Sequence, residues 1–205
     1  MAEKRKRKAP TLCAEELDAV HRAIDQYSPF FERDRAIIAL SFYSGLRAKE
    51  LANITLDVLV DGRGRVREVV QLSPAMTKGS EFGEIYITHP EARADLVAYV
   101  RKRLEEEKAA LHERLFLSRW QKPISPDCMR QMIKTLFQRA GIKATSHSGR
   151  RTFATSLDQL GASLREVQAL MRHRNFTTTM MYITANPARL RKLVNRMAVI
   201  TSNGE

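Results

Sequence analysis

Cysteine is nearly absent from this 205-residue chain: Cys13 and Cys128 are the only two, and neither sits in a CxxC or Cys/His ligand spacing. A disulfide framework or a structural zinc site is therefore not expected, and a reducing cytosol is the natural compartment. Long apolar runs are missing as well. The most apolar stretch, AIIALSFY, falls far short of a membrane span. The N-terminal KRKRK is followed by APTLCAEELDAV, whose acidic residues exclude a signal-peptide core. A soluble, cytoplasmic protein is the expectation. No repeat, low-complexity tract or Ser/Gly linker divides the chain, so one domain is expected after a basic arm at residues 1–10. Acidic residues are also in deficit. With 35 Lys and Arg against 23 Asp and Glu, the formal charge is +12 and the isoelectric point about 10.1. Such an excess points to a polyanionic partner, most simply nucleic acid, because neutralising phosphates releases counterions and gives sequence-independent affinity.

What is present reads as mostly helix. Leu17, Val20 and Ile24 share one face of a first helix, and RDRAIIALSFYSG forms a second, closed by Gly45 at a left-handed cap position. LRAKELANI follows as a short helix with Leu46, Leu51 and Ile54 inward. GRVREVVQL, AMTKGSEFG and EIYIT read as strand, polar turn and strand, the one convincing hairpin. Helical patterns then run through EARADLVAYVRKRLEEEKAAL, SPDCMRQMIKTLFQRAG, GRRTFATSLDQLG, SLREVQALM and PARLRKLVNRMAVI. The expected class is α+β, mostly helical with a small antiparallel sheet.

One cluster stands out. SHSGRRTFAT puts His147, Arg150 and Arg151 within five positions. Residues three apart on a helix project about 60° apart, so His147 and Arg150 can reach one point while Arg151 falls further round. A guanidinium offers paired donors for two phosphate oxygens, and an imidazole can donate a proton or accept one. In LMRHRNFTTTMMY, His173 and Tyr182 would face apart on one continuous helix. The threonine run is expected to break the helix, so that Tyr182 starts a separate short one and returns toward His173.

Taken in order, these motifs resemble the catalytic domain of the tyrosine recombinases, or phage integrase family, from about Thr11 onward. YSGLRAKEL resembles the first arginine motif and gives Arg47, with Glu50 in its acidic position. TKGS resembles the lysine turn and gives Lys78; HSGRRTFAT and LMRHRNFTTTMMY resemble the last two boxes and give His147, Arg150, His173 and Tyr182. Gly149 stands where the family usually has Leu, Arg151 where it often has His, and Arg172 where a Gly commonly precedes the second histidine. The length leaves no room for the N-terminal domain of most relatives, which implies a catalytic domain at 11–205 alone, similar to the small fimbrial-type invertases.

The resemblance implies a chemistry. Tyr182 attacks a DNA phosphodiester to form a 3′-phosphotyrosyl link, and Arg47, Arg150 and His173 stabilise the added charge. Lys78 protonates the leaving 5′ oxygen, His147 assists proton removal from the phenol, and Glu50 orients Arg47. No nucleotide cofactor and no metal are implied, since the arginines occupy the role of divalent ions in two-metal nucleases. The implied partner is double-stranded DNA held by four protomers on two sites, with accessory DNA-bending proteins as further partners. Leu190, Leu193, Val194 and Met197 of the last helix either pack on their own core or dock on a neighbouring protomer. Lys4, Arg5, Lys6, Arg7 and Lys8 of the arm, and Arg151, Arg172 and Arg174, are further candidates for DNA contact. The rivals are a catalytically silent DNA-binding regulator of the same fold and a type IB topoisomerase.

Overall fold

The structure is a computed structural model that describes residues 9–77, 82–182, 191, 194 and 195. Lys4 to Lys8 and Lys78 lie outside the described residues, as do Leu190, Leu193 and Met197 of the C-terminal segment. Helices α1 (Ala14–Tyr27), α2 (Phe31–Tyr43), α3 (Ala48–Asn53) and α4 (Leu56–Leu59) precede a two-stranded sheet, β1 (Val69–Leu72) and β2 (Gly83–Tyr86). Then come α5 (Pro90–Arg101), α6 (Pro126–Arg139), α7 (Ser148–Gln159), α8 (Leu164–Met171) and α9 (Phe176–Met180). The mostly helical α+β architecture expected from the sequence is the one observed.

Helix α2 is the axis of the fold. Its residues 36–42 are all buried, so the helix is apolar all round and is covered by α1, α5 and α7. The main core runs from Leu12 through α1–α6 and the inner sheet face to Ala144, with Phe42 meeting Phe137 edge to face. The strands pair antiparallel with Val70 opposite Ile85, which buries Val70, Leu72, Ile85 and Ile87 and leaves Val69 and Tyr86 outside. A second cluster, Ala154, Val167 and Met171, joins α7 to α8, and Tyr182 packs against it.

Three expectations need correction. The strands are shorter than the pattern: residues 64–68 lie outside β1, with Val66 bridging to Val60 and only the Glu68 carbonyl reached by the Ile87 amide, at 2.7 Å. The helix expected through residue 111 ends earlier. It widens into a π-turn at Lys102–Glu106, where Arg103 turns inward to Glu107, Glu113 and the Arg114 carbonyl. The threonine run does not break a helix but forms one. Asn175 caps α9 by accepting from the Thr177 amide at 2.9 Å, and Tyr182 lies in the turn that follows α9.

Gly149 has a packing reason. A Cβ there would lie 2.4 Å from the Ser41 hydroxyl and 2.8 Å from the Phe42 ring, so α7 approaches α2 more closely than any side chain allows. Gly149→Ala is therefore expected to lower stability. Overpacking costs about 1–3 kcal/mol and outweighs the ~1 kcal/mol gain in helix propensity, which a thermal melt reads as a fall of several degrees.

Candidate functional site

The site is built where α2 ends. Gly45 takes a left-handed backbone, φ 59°, and a Cβ there would also meet the Phe153 ring at 2.6 Å, so the turn needs glycine twice over. The turn directs the Gly45 carbonyl at two guanidinium groups. Arg150 donates to it through Nη1 and to the Met171 carbonyl through Nη2, while Arg172 donates to it at 3.0 Å. Arg150 is buried in the first turn of α7, which begins after His147.

Arg47 ends the Gly45 turn and caps α3. Glu50, three residues on, is fully buried, and both of its oxygens are used. Oε1 accepts from Arg47 Nη1 at 2.6 Å; Oε2 accepts from the Arg47 amide at 2.8 Å and from Arg172 Nη2 at 3.0 Å. Arg172 was expected among the DNA-contacting cations, yet its guanidinium turns inward, and the side chain is only 8% exposed. Arg47 is the more open partner, with 20% of its side chain exposed.

The third part follows α8. His173 is buried, and Nδ1 lies 3.0 Å from the Thr179 hydroxyl, which is itself fully buried. Gln168 fixes the loop by donating to the His173 carbonyl at 3.0 Å. The Tyr182 ring stacks on the His173 ring with centroids 5.7 Å apart. Returning along α9 thus brings the pair together, though by a different path from the one expected. Thr179 and Gln168 are supporting residues that the sequence pattern does not single out; only the threonine run offers a signal, as an expected helix break.

These groups share one open cleft of about 710 Å³, lined by Arg47, Glu50, His147, Arg150, His173 and Tyr182 among others. Five arginines and two glutamates line it, so the walls carry a net positive charge suited to an anion. Lys78 lies outside the described residues, but Thr77 and Phe82, on either side of its loop, both line the cleft. Lys49 of α3 secures the start of that loop by donating to the Thr77 carbonyl at 3.0 Å. Arg174 is exposed on the cleft wall. Arg151 faces away and donates to the Ala9 carbonyl, while the Leu12 amide donates to Thr152 at 2.9 Å. Residues 9–12 are thereby laid along α7. No group of three or more metal-ligating side chains occurs among the described residues, and no helix among them is long and apolar enough to cross a membrane.

The electrostatics follow from this crowding. Burial first, then the Arg47 and Arg172 cations, push Arg150 down to about 9. Burial and the same three arginines push His173 down to about 4, so its imidazole is neutral at pH 7. Burial alone would raise the Glu50 carboxyl, but Arg172, Arg47 and Arg150 outweigh it and hold the group below its ordinary value.

A cationic cleft with a tyrosine in its lining, on this helical frame, is suited to an anionic group. Residues 10–189 match the Phage integrase family, and the chain belongs to that family. It is 31% identical over 174 residues to tyrosine recombinase XerD of Staphylococcus aureus (strain Mu50 / ATCC 700699), covering 80% of this chain and 54% of the relative. It is 29% identical over 184 residues to tyrosine recombinase XerA of Thermococcus kodakarensis, covering 89% and 62%. The chain thus spans little more than half the length of these curated relatives. The crystal structure of XerA recombinase superposes with a TM-score of 0.70 at 24% identity, over 96% of this chain and 66% of that one. A post-cleavage complex of XerH site-specific recombinase with a palindromic difH substrate gives 0.67 at 19%, over 95% and 55%. At these identities the two structures establish the shared fold.

Two outcomes follow. Glu50→Gln leaves the Arg47 and Arg172 guanidinium groups without their anion and is expected to cost about 3–5 kcal/mol in chemical denaturation at pH 7. The wild-type contribution of Glu50 is present above the unfolded carboxylate value and is lost as pH falls through the lower folded one. For His173, the folded value lies below the unfolded one. The unfolded chain therefore binds more protons between about pH 6.5 and pH 4, and stability falls as pH drops through that window. An NMR titration should find His173 neutral at pH 6, and binding of inorganic phosphate should move its titration upward by offsetting the arginine charge.

Proposed function

We propose that the chain is a site-specific DNA recombinase that cuts and rejoins double-stranded DNA through a 3′-phosphotyrosyl intermediate. The observation that carries this reading is the stacking of Tyr182 on a neutral His173 in the same cleft as Arg47 and Arg150. In the first step the Tyr182 oxygen attacks phosphorus, its proton passes toward His147, and the P–O5′ bond breaks. Lys78 protonates the departing 5′ oxygen. In the second step a 5′-hydroxyl attacks the phosphotyrosyl phosphorus and Tyr182 leaves with a proton, so the bond is restored with no external energy source. Arg47 and Arg150 take up the charge that builds on the non-bridging oxygens, and His173 adds a hydrogen bond. Removing either arginine should slow the chemistry on the order of 10²–10³-fold.

Its partner in this reading is double-stranded DNA at the nucleoid, bound by four protomers on two sites, the C-terminal segment passing to a neighbour. The basic arm at residues 1–10 follows the same DNA. The laying of residues 9–12 along α7, beside a cavity of about 290 Å³ that His147 and Tyr182 also line, supports an arm that starts close to the attacking group. Against a silent regulator stands the retention of Arg47, Lys78, His147, Arg150, His173 and Tyr182 together.

The test is to express the wild-type protein and Tyr182→Phe with their native flanking DNA, denature, and sequence the ends of protein-linked DNA. The expected outcome is adducts at discrete positions that vanish in Tyr182→Phe. Equal recovery from both proteins overturns the reading, and relaxation of supercoiled plasmid without any preferred site would favour a topoisomerase.

A further inference from the structure

Arg172 takes a left-handed backbone, φ 51° and ψ 47°, where non-glycine residues are uncommon. Its side chain makes four hydrogen bonds inside the protein. Nη1 donates to the Leu170 carbonyl at 2.9 Å and the Ser44 carbonyl at 3.4 Å; Nη2 donates to the Gly45 carbonyl and Glu50 Oε2, each at 3.0 Å. The stem crosses β2 at Gly83, where a Cβ would sit 2.7 Å from Arg172 Cδ. The Nε–H is buried there with no acceptor. A residue that served only to cap α8 would need neither the reach to Glu50 nor this stranded donor, and glycine would cap the helix without backbone strain.

The position matters for Arg47. Glu50 has two oxygens, and a lone arginine beside a carboxylate tends to take both. Here Oε2 accepts from the Arg47 amide and from Arg172 Nη2, which together fill it, so the Arg47 guanidinium holds Oε1 alone, and its Nη2 has only a 3.4 Å bond to the Arg172 carbonyl. The Arg47 guanidinium is thereby anchored to Glu50 through Nη1 alone and, with only the long Nη2 bond besides, is left with donors for an anion in the cleft. Gly83 immediately follows the loop that carries Lys78, so the same stem that reaches Glu50 also rests on the return strand of that hairpin.

We infer that Arg172 is a positioning residue for strand cleavage. Together with the Arg47 amide it holds Glu50 away from a two-oxygen pair with the Arg47 guanidinium, and it keys β2 to the Arg47, Glu50 and Arg150 frame. The inference rests on the recombinase reading of the cleft. The experiment uses the full chain and a duplex carrying the adduct site mapped with the wild-type protein. Covalent adduct formation at saturating protein, the Kd for the same duplex and the thermal midpoint are measured for Arg172→Gly, Arg172→Lys, Gly83→Ala and the Gly83→Ala/Arg172→Gly pair.

Arg172→Gly removes the side chain and suits the left-handed backbone. It should slow adduct formation on the order of 10²-fold, the scale of a small misplacement of a catalytic group, while Kd stays within about threefold. Arg172→Lys, which keeps the charge beside Glu50, should recover part of the rate. Gly83→Ala displaces the stem without changing any charge, so it should slow the wild type but have no further effect once Arg172 is glycine. An unchanged rate in Arg172→Gly overturns the inference. So does a parallel loss of rate, Kd and thermal midpoint, or an equal effect of Gly83→Ala in both backgrounds. Absence of adducts from the wild-type protein itself would overturn the recombinase reading, and the inference with it.

Discussion

A single buried carboxylate lets this site exist. Glu50 is fully enclosed, and three guanidinium groups, from Arg47, Arg150 and Arg172, converge around it and the Gly45 turn. Two like charges about 4 Å apart repel by about 4 kcal/mol at the effective dielectric of a protein surface, so such a cluster cannot be held by packing alone. Glu50 cancels one charge and splits its oxygens between two arginines; the Gly45, Ser44, Leu170 and Met171 carbonyls supply the remaining acceptors. A net positive charge is left over, and it faces an open cleft.

That residual charge links fold to function. The depressed values of Arg150 and His173 reflect burial first and then the crowding of neighbouring arginine cations. In the recombinase reading proposed above, a phosphodiester entering the cleft would offset this charge, and the further negative charge that builds during attack at phosphorus would offset it more. On that reading the groups are best matched when the reacting phosphate carries most charge, which is the condition for catalysis by preorganised electrostatics. Rigidity comes from the backbone: Gly149 brings α7 onto α2, Gly45 turns the chain onto α3, and Asn175 caps the short helix that returns Tyr182 to His173.

Much of this was legible in the chain. The Gly45 cap, the inward Leu46, Leu51 and Ile54 and the hairpin follow from local pattern, and the joint placement of Arg47, His147, Arg150, His173 and Tyr182 at one cleft is what the family resemblance implied. What escaped depended on long-range contacts. Arg172 reads as a surface cation because it opens the basic run Arg172-His173-Arg174, and only the fold brings the carbonyls of the α2 turn within its reach. Thr178 and Thr179 read as helix breakers by propensity, but the Asn175 cap and the burial of Thr179 against His173 override a weak local preference. The early end of the helix after α5 comes from Arg103 finding acids that follow it in the chain, which periodicity does not encode.

The most direct test of the central claim exploits charge alone. Adduct formation is compared on DNA with a native phosphate and with a neutral methylphosphonate at the position of attack, for wild type and for Arg150→Ala. If the buried arginines exist to match anionic charge, Arg150→Ala should cost on the order of 10²-fold or more with the native phosphate and far less with the neutral group. An equal penalty on both substrates would contradict the account and leave Arg150 as a structural strut between α7 and the Gly45 turn.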